Sequence, residues 1–286
     1  MSKLSPKLKS LINAPFARPG AVPAPTNIKS VYEQVAKDAA SKNVGVPAWL
    51  SIATATTMTM NSPDSLATLH AVASHHHPSG PVTAAALMRE IALKCIGFNG
   101  VPRTINMLNA FRASISDDIY SQLPTKPTRT PTPANIEAMN TRGFALWESI
   151  YRPFDKKLYA KLADTHPDLP VHILHSEYGA LFADPPSHAM KGAKVGRVLT
   201  SVVAVSCLRT QSGVGPQVLS HVFGLRKAFE DDSHAAEGEE TVQGGEWLAS
   251  DEGSTWLLET TDRIVEALSE GKGSTYAPGM KRDSKL

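Results

Sequence analysis

The chain has 286 residues, 42% of them hydrophobic, which is enough for a folded protein with a substantial core. Its 29 basic and 27 acidic residues nearly cancel, so no basic field points to nucleic acid. The two cysteines, Cys95 and Cys207, form no CxxC motif, which excludes zinc knuckles and dithiol redox motifs. No apolar run reaches the length needed to span a bilayer.

The N-terminal segment, residues 1–26, is rich in proline and is predicted to be a flexible, extended arm. No acidic residue precedes Glu33, which gives the segment a faint likeness to a mitochondrial transit peptide. A single arginine among several prolines argues against that function, and a plain arm is the preferred interpretation.

Helical patterns follow the arm. Residues 31–43 are amphipathic, and residues 47–60 are mostly apolar. Ser62-Pro63-Asp64 then predicts a helix start, with Ser62 as the cap and Asp64 favoured by the helix dipole. Gly80-Pro81 is expected to end that helix.

Two stretches share one outline and predict an internal repeat. Residues 85–111 form an apolar helical pattern that is interrupted by Gly100-Val101-Pro102. Residues 194–229 contain a helix that is apolar almost all round over residues 199–208 and is therefore expected to be buried. A glycine turn and a second helix that starts near Pro216 follow it. The apolar positions that follow the two prolines correspond, so we expect two related helical units.

The expected organisation is therefore two helical halves in one compact chain. The predicted boundaries are an arm over 1–26, a first half over 27–122, a proline-rich linker over 123–133, a second half over 134–270 and a flexible tail over 271–286. No run alternates with the period of a strand, so the predicted class is all-α.

The last three residues, Ser284-Lys285-Leu286, match a peroxisomal address that an import receptor reads. The preceding glycine-rich tail would offer this tripeptide freely. The sequence therefore predicts a protein of the peroxisomal matrix, with the import receptor as one partner.

The second half resembles a known superfamily. Residues 175–199, HSEYGALFADPPSHAMKGAKVGRVL, and residues 212–229, SGVGPQVLSHVFGLRKAF, are similar to carboxymuconolactone decarboxylases and alkylhydroperoxidase D proteins. In that family a Tyr-Gly helix leads into a long helix that opens with Arg-Glu, and a histidine-bearing helix follows. Residues 88–111 resemble the same unit and keep the pair as Arg89-Glu90. With its Ser-Lys-Leu end, the chain is most similar to the peroxisomal members found in fungi.

The departures from the family pattern decide which chemistry the resemblance implies. Counting back from His221 places Val214 and Gln217 where the family's peroxidases carry their two thiols, so a dithiol peroxidase is not expected. The decarboxylase branch implies acid–base chemistry by a histidine and a carboxylate. His221 is present for it, but Val198 stands where a glutamate should follow Arg197.

The candidate acid–base residues each have a structural alternative. His221 is a general acid or base, or a satisfied core histidine. Glu177 is its carboxylate partner, or a surface glutamate. Glu90 matches the family's acid, but an ion pair with Lys94 one turn later would explain it equally well.

The remaining candidates concern thiols and substrate binding. Cys95 and Cys207 fall in apolar helical rows and are expected to be small buried hydrophobes, the alternative being a single reactive thiol, such as Cys207, that forms a sulfenic acid. Arg197 and Arg103 are candidate clamps for a substrate carboxylate, with structural salt bridges as the alternative, and Tyr178 is a candidate substrate contact.

Metal and cofactor sites are not expected. The cluster His75-His76-His77 cannot face one ion from a helix, because successive side chains diverge by about 100°.

The resemblance implies an oligomer, a homodimer or larger, of the alkylhydroperoxidase D-like fold. Three functions stay open: acid–base chemistry on a small carboxylate or lactone, a single-thiol antioxidant, and a non-catalytic binding or assembly protein.

Overall fold

The computed structural model describes residues 3–17, 20–185 and 190–276. Within these ranges every regular element is a helix and there is no strand, which confirms the predicted all-α class. None of the helices in these ranges combines the length and the apolar character that crossing a bilayer requires. Ser284, Lys285 and Leu286 lie outside the described residues, and the peroxisomal address stays a prediction.

The α-helices and the π-helix have between 4 and 19 residues. Before the proline-rich linker they are α1 (Pro6–Ile12), α2 (Ile28–Ser41), α3 (Val46–Met60), α4 (Pro63–His76), α5 (Gly80–Lys94), α6 (Ile96–Asn99), α7 (Val101–Ser114) and α8 (Asp117–Tyr120). After it they are α9 (Ile136–Tyr151), α10 (Asp155–Thr165), α11 (Asp168–His172), a π-helix (Ile173–Phe182), α12 (Gly196–Gln211), α13 (Gly215–Glu230), α14 (Gly245–Ala249) and α15 (Asp251–Ser269).

Two helices that are apolar almost all round lie at the centre of the fold. Every residue of α3 from Ala48 to Met60 is buried, as is every residue of α12 from Arg197 to Leu208. A helix without a polar face can only be stable when neighbours cover it on all sides. The two helices pack against each other, and α15 packs against both of them. The burial predicted for residues 199–208 is confirmed.

One hydrophobic core joins the two ends of the chain. It runs from Ile28 on α2 through Trp49 on α3 to Val202 on α12 and Leu257 on α15. A second, smaller cluster lies between α9 and the π-helix, and its buried members are Trp147, Ile150, Leu174, Tyr178, Leu181 and Phe182. Tyr178 belongs to this smaller cluster, and the half-buried Tyr151 packs against it.

The N-terminal arm is more structured than predicted. Pro6–Ile12 is helical, with the Ser5 side chain accepting a bond from the Leu8 amide, so an extended arm is wrong there. Ser62 does not cap α4, contrary to expectation; its hydroxyl donates to the Val22 carbonyl at 2.8 Å. The Val22 amide in turn donates to the Asn61 carbonyl at 2.9 Å, and these bonds fasten the arm to the core.

Candidate functional site

A cavity of about 720 Å³ lies beside the N-terminus of α12. Its walls come from α9, the residues after the π-helix, the start of α12 and the loop between α13 and α14. Charged side chains of both signs line it: Arg142, Asp184, Lys191, Lys194, Arg197, Glu237, Glu239 and Glu240. A space of this size and polarity suits a small polar organic ligand.

Arg197 forms the inner wall of this cavity. Its side chain is buried, with its Nη1 donating to the Ser201 hydroxyl at 2.8 Å. Its Nη2 donates to the carbonyls of Ser149 on α9, at 3.0 Å, and Gly224 on α13, at 2.6 Å. Burial lowers the pKa of Arg197 to about 10, so the group stays charged at neutral pH. Arg197 therefore holds three helices together while presenting a charge at the cavity.

Two arginines of the cavity keep an unused donor. The Nε atoms of Arg197 and Arg142 are buried and have no hydrogen-bond partner among the described residues. A buried donor without a partner costs free energy, so native proteins rarely tolerate one without a reason. A bound anion such as a carboxylate would satisfy such donors, since guanidinium and carboxylate groups are complementary in shape and charge.

His221 lies on α13 within a chain of hydrogen-bonding side chains. The Tyr178 hydroxyl donates to the Tyr151 oxygen at 3.1 Å. The Tyr151 oxygen lies 3.3 Å from His221 Nε2, so its own proton is free to point at that nitrogen. This arrangement links the π-helix, α9 and α13. Proton movement along such a chain needs only short shifts between neighbouring atoms.

The environment of His221 holds the ring neutral. Burial is the larger cause and the positive charge of Arg197 the smaller, and together they lower the pKa of His221 to about 4. Its Nδ1 atom is buried and lacks a hydrogen-bond partner among the described residues. His221 does not line the 720 Å³ cavity, whereas Arg197 both lines it and donates to the Gly224 carbonyl on the helix of His221.

Glu177 does not partner His221 in the described structure. Its Oε1 lies 3.6 Å from Nε2 of His172, and it projects toward α6, where a Cβ on Gly97 would meet Oε2 at 2.6 Å. Burial raises the pKa of Glu177, and the electrostatic interaction with His172 only partly opposes this. The alternative of a surface glutamate is met only in part, since this side chain is half-buried, with 24% of it exposed. A local pattern could not reveal the π-helix that turns it inward.

A buried network of charges replaces the ion pair expected between Glu90 and Lys94. Lys94 pairs instead with Asp184, with Nζ 2.8 Å from Oδ1 and both side chains almost fully buried. Nζ also donates to the Phe182 carbonyl at 2.7 Å. Glu90 pairs with Arg129 of the proline-rich linker. The expectation that Lys94 serves Glu90 is therefore wrong, because Lys94 turns into the core.

Asp184 is the central member of this network. Its Oδ2 accepts from the Gly196 amide, the first residue of α12, at 2.6 Å. Burial alone would raise the pKa of Asp184, but the charge and hydrogen bond of Lys94, the Gly196 amide and the charge of Arg129 outweigh it and lower the pKa. The next amide of α12, that of Arg197, donates to Oε2 of Glu239 at 2.8 Å. Two carboxylates thus occupy the positive end of this helix.

Arg103 makes structural contacts in the described chain and does not line the cavity beside Arg197. Its Nη1 donates to the Thr59 carbonyl at 3.2 Å and to the Thr275 hydroxyl at 3.0 Å. Its guanidinium carbon lies 4.4 Å from the centre of the Tyr276 ring. Arg103 thereby fastens the segment after α15 onto α3 and α7, away from the cavity beside Arg197.

The two cysteines lie against each other in the core. Cys95 Sγ and Cys207 Sγ are 3.6 Å apart, and neither residue has measurable exposure to solvent. Burial of both thiols agrees with the favoured sequence interpretation. Their contact escaped prediction, because a separation of 112 positions hides any local motif. Their places in two matching apolar rows were the available signal.

Sequence reasoning also missed Tyr151, Arg142 and Asp184. Tyr151 follows Trp147 by four positions and looks like part of an ordinary apolar stripe. The contacts of Tyr151 are made with the π-helix and with α13, so a local sequence pattern could not predict them. Asp184 lies just before a Pro-Pro pair and looks like a turn residue.

Comparison of the chain with family models, curated proteins and solved structures found no match.

Proposed function

We propose that the protein is an enzyme that binds a small carboxylate or lactone beside Arg197 and moves a proton with Tyr151 and His221. This is the chemistry of the carboxymuconolactone decarboxylases that the sequence resembles. The single observation that carries the proposal is the position of Arg197, which lines the cavity and also donates to the backbone of α13 three residues after His221.

The free donors of the cavity support the choice of an anionic ligand. Three of the four acids of its wall have partners in the protein: Asp184 binds Lys94, Glu239 binds the Arg197 amide and Glu240 binds the Gly192 amide. The fourth, Glu237, is exposed, so solvent can satisfy it. Two arginine Nε groups have no such partner among the described residues. The unused hydrogen-bonding capacity is therefore positive, and a carboxylate is the small organic group that it fits best.

Binding of an anion would also prepare His221 for proton transfer. Arg197 contributes to the low pKa of His221 through its positive charge. A carboxylate beside Arg197 would offset that charge and raise the pKa of His221 toward the working pH, where proton transfer is most effective. Tyr178 donates to Tyr151 and would stabilise negative charge on the Tyr151 oxygen when that group gives up its proton.

The test is turnover of a small carboxylated lactone, followed by release of carbon dioxide. We expect Tyr151→Phe and His221→Gln to lower kcat by roughly 100-fold or more, the usual share of general acid–base catalysis. Arg142→Gln should raise KM and leave kcat close to the wild-type value, because it removes a ligand contact outside the proton-transfer chain. The matched control is His175→Gln, which alters an exposed histidine that contacts Asn140.

Two results would contradict the proposal. One is unchanged turnover in His221→Gln, which would remove the proton-transfer role. The other is a wild-type protein that shows neither turnover nor calorimetric binding for a panel of small carboxylates and lactones. The second result, with a folded protein, would favour the non-catalytic binding or assembly function.

We further propose a homodimer, the oligomer that the resemblance implies. Leu219 and Phe223, one turn apart on α13, are 57% and 51% exposed. Apolar side chains on one helix face commonly mark a contact surface between protein chains. Sedimentation should show a dimer for the wild type and a monomer after Leu219→Lys with Phe223→Lys, whereas a monomeric wild type would refute the proposal.

A further inference from the structure

We propose that Cys95 and Cys207 form a reversible disulfide when the protein meets a peroxide, so that the pair is a redox modification site in the core. This proposal is independent of the acid–base function. It also differs from a single-thiol antioxidant, because the second sulfur is already in contact. The proposal rests on the distance of 3.6 Å between the two sulfur atoms.

The geometry of the pair suits a bond between the two sulfurs. A disulfide has a sulfur–sulfur distance of about 2.05 Å, so the sulfurs must approach further by side-chain rotation. The surroundings favour the partner thiol over other reactions. Each residue belongs to the main hydrophobic core, and the Cys207 thiol donates a weak hydrogen bond to the Ala55 carbonyl at 3.9 Å.

The pair should react slowly. The hydrogen bond with Cys207 and then burial raise the pKa of the Cys95 thiol, which lowers its thiolate fraction at neutral pH. Neither sulfur is exposed in the folded chain, so a small peroxide must enter during local opening. The site is therefore suited to a response to lasting oxidative exposure and not to rapid peroxide turnover.

The proposed reaction has two balanced steps. One cysteine thiol loses its proton, the resulting thiolate attacks a peroxide oxygen and the O–O bond breaks, which leaves a sulfenic acid and a hydroxide that takes up the lost proton to become water. The sulfur of the second cysteine then attacks the sulfenic sulfur, its proton leaves with the hydroxyl as a second water, and the S–S bond forms. Hydrogen peroxide is reduced by two electrons and the two thiols are oxidised. A dithiol reductant reverses the change.

The product would tie the two predicted halves together. Cys95 follows α5 in the first half, and Cys207 lies in α12 in the second half. The bond would close a loop of more than a hundred residues, and cross-links that close long loops restrict the unfolded chain most strongly. We therefore expect the oxidised protein to unfold at a higher denaturant concentration than the reduced protein.

The experiment exposes the reduced, folded, full-length protein to hydrogen peroxide and then measures intact mass, free thiols and cross-linked peptides. We expect loss of both thiols, a mass decrease of about 2 Da, a peptide that joins Cys95 to Cys207, and reversal by dithiothreitol. The denaturation midpoint should rise on oxidation. In Cys207→Ser the midpoint should not rise, and a sulfenic acid at Cys95 should be trapped by dimedone.

Three outcomes would overturn the proposal. The first is retention of both thiols after prolonged exposure of the wild type. The second is oxidation of each cysteine to sulfinic or sulfonic acid without a joining peptide. The third is a joining peptide that forms only in denaturant, which would show that the folded core does not permit the bond. All three readouts use the wild type, so they do not depend on whether the variant folds.

Discussion

Gly143 and Gly179 meet where α9 crosses the π-helix, and their backbones nearly touch. A Cβ on Gly143 would lie 2.4 Å from the Gly179 Cα and 2.5 Å from its nitrogen. Only glycine allows two helices to approach so closely at this point. The close crossing also brings Tyr178 near Tyr151. Tyr178 directly precedes Gly179 on the π-helix, and its hydroxyl reaches the Tyr151 oxygen on α9.

We expect Gly143→Ala to destabilise the protein by about 1 to 3 kcal/mol or more, the usual range for overpacking a well-packed core. The new methyl group would collide with backbone atoms, which cannot rotate away. It would also separate Tyr178 from Tyr151. Chemical denaturation measures the loss in the free energy of unfolding.

Two other glycines serve as matched controls for Gly143→Ala. A Cβ on Gly179 would lie 3.3 Å from its closest neighbour, the Leu174 carbonyl, so Gly179→Ala should cost less. Gly215 has open space around it and sits at the start of α13, so Gly215→Ala should be neutral or stabilising. Equal losses at Gly143 and Gly215 would disprove the close-crossing argument.

The buried pair of Lys94 and Asp184 gives a second prediction. Lys94→Met leaves the Asp184 carboxylate in the core without its 2.8 Å partner. Breaking a buried ion pair from one side costs about 3 to 5 kcal/mol, and Arg129 and the Gly196 amide would compensate only part of the charge that remains on Asp184. The free energy of unfolding of Lys94→Met should fall by about this amount.

The double variant Lys94→Met with Asp184→Asn supplies the control for this prediction. It removes both charges and keeps a side-chain oxygen that can accept from the Gly196 amide. We expect it to be more stable than Lys94→Met alone, as double-mutant cycles show for coupled pairs. Strictly additive losses would mean that the two side chains do not interact.

The low pKa of His221 predicts that the protein loses stability in mild acid. The folded state holds the pKa of His221 at about 4, whereas the unfolded chain has the ordinary value near 6.5. Between these values the unfolded state binds more protons, so the free energy of unfolding falls as the pH falls. The difference between the two pKa values corresponds to a total loss of about 3 kcal/mol in the free energy of unfolding. This loss is complete once the pH is below 4.

The pH dependence can be assigned to His221 by comparison of two variants. His221→Gln cannot titrate, so its stability should vary less than that of the wild type between pH 6.5 and 4. His175→Gln, at an exposed position, should keep the wild-type slope. Identical slopes in the wild type and His221→Gln would show that another group controls this transition.

Glu239 provides a prediction about the N-terminus of α12. Glu239→Ala removes the acceptor of the Arg197 amide and should cost about 1 kcal/mol, as loss of a helix cap usually does. Proteolysis of the loop between α13 and α14 should also become faster. Glu237→Ala changes an exposed glutamate of the same loop and should leave both measurements unchanged.

Much of the helical framework could be predicted from the sequence, because apolar periodicity and the glycines and prolines that mark helix boundaries are local signals. Pro63 and Pro216 lie within the first turn of their helices, as predicted, because the missing amide costs nothing there. Gly80-Pro81 was expected to end a helix, but α4 already ends at His76 and Gly80 begins α5. The capping role of Ser62 failed for a physical reason. Its hydroxyl found a partner forty residues away in Val22, and sequence periodicity carries no information about such a contact.

The site was less predictable, because its contacts join distant parts of the chain. His221 was singled out, but its neighbour Tyr151 lies seventy positions earlier. Glu177 was expected either at the surface or beside His221, and the wider turn of the π-helix directs it toward Gly97 instead. A period of 3.6 residues, assumed throughout for helices, misplaces side chains in a π-helix.

The shared core also has a consequence for how the chain can be divided. Its members extend from Ile28 to Leu268, on both sides of the proline-rich linker, and Lys126 in that linker is exposed. Neither half alone would cover the apolar faces of α3 and α12. A gene split at Lys126 should therefore yield two polypeptides that are insoluble when expressed separately, yet assemble and co-purify as one particle when they are made together.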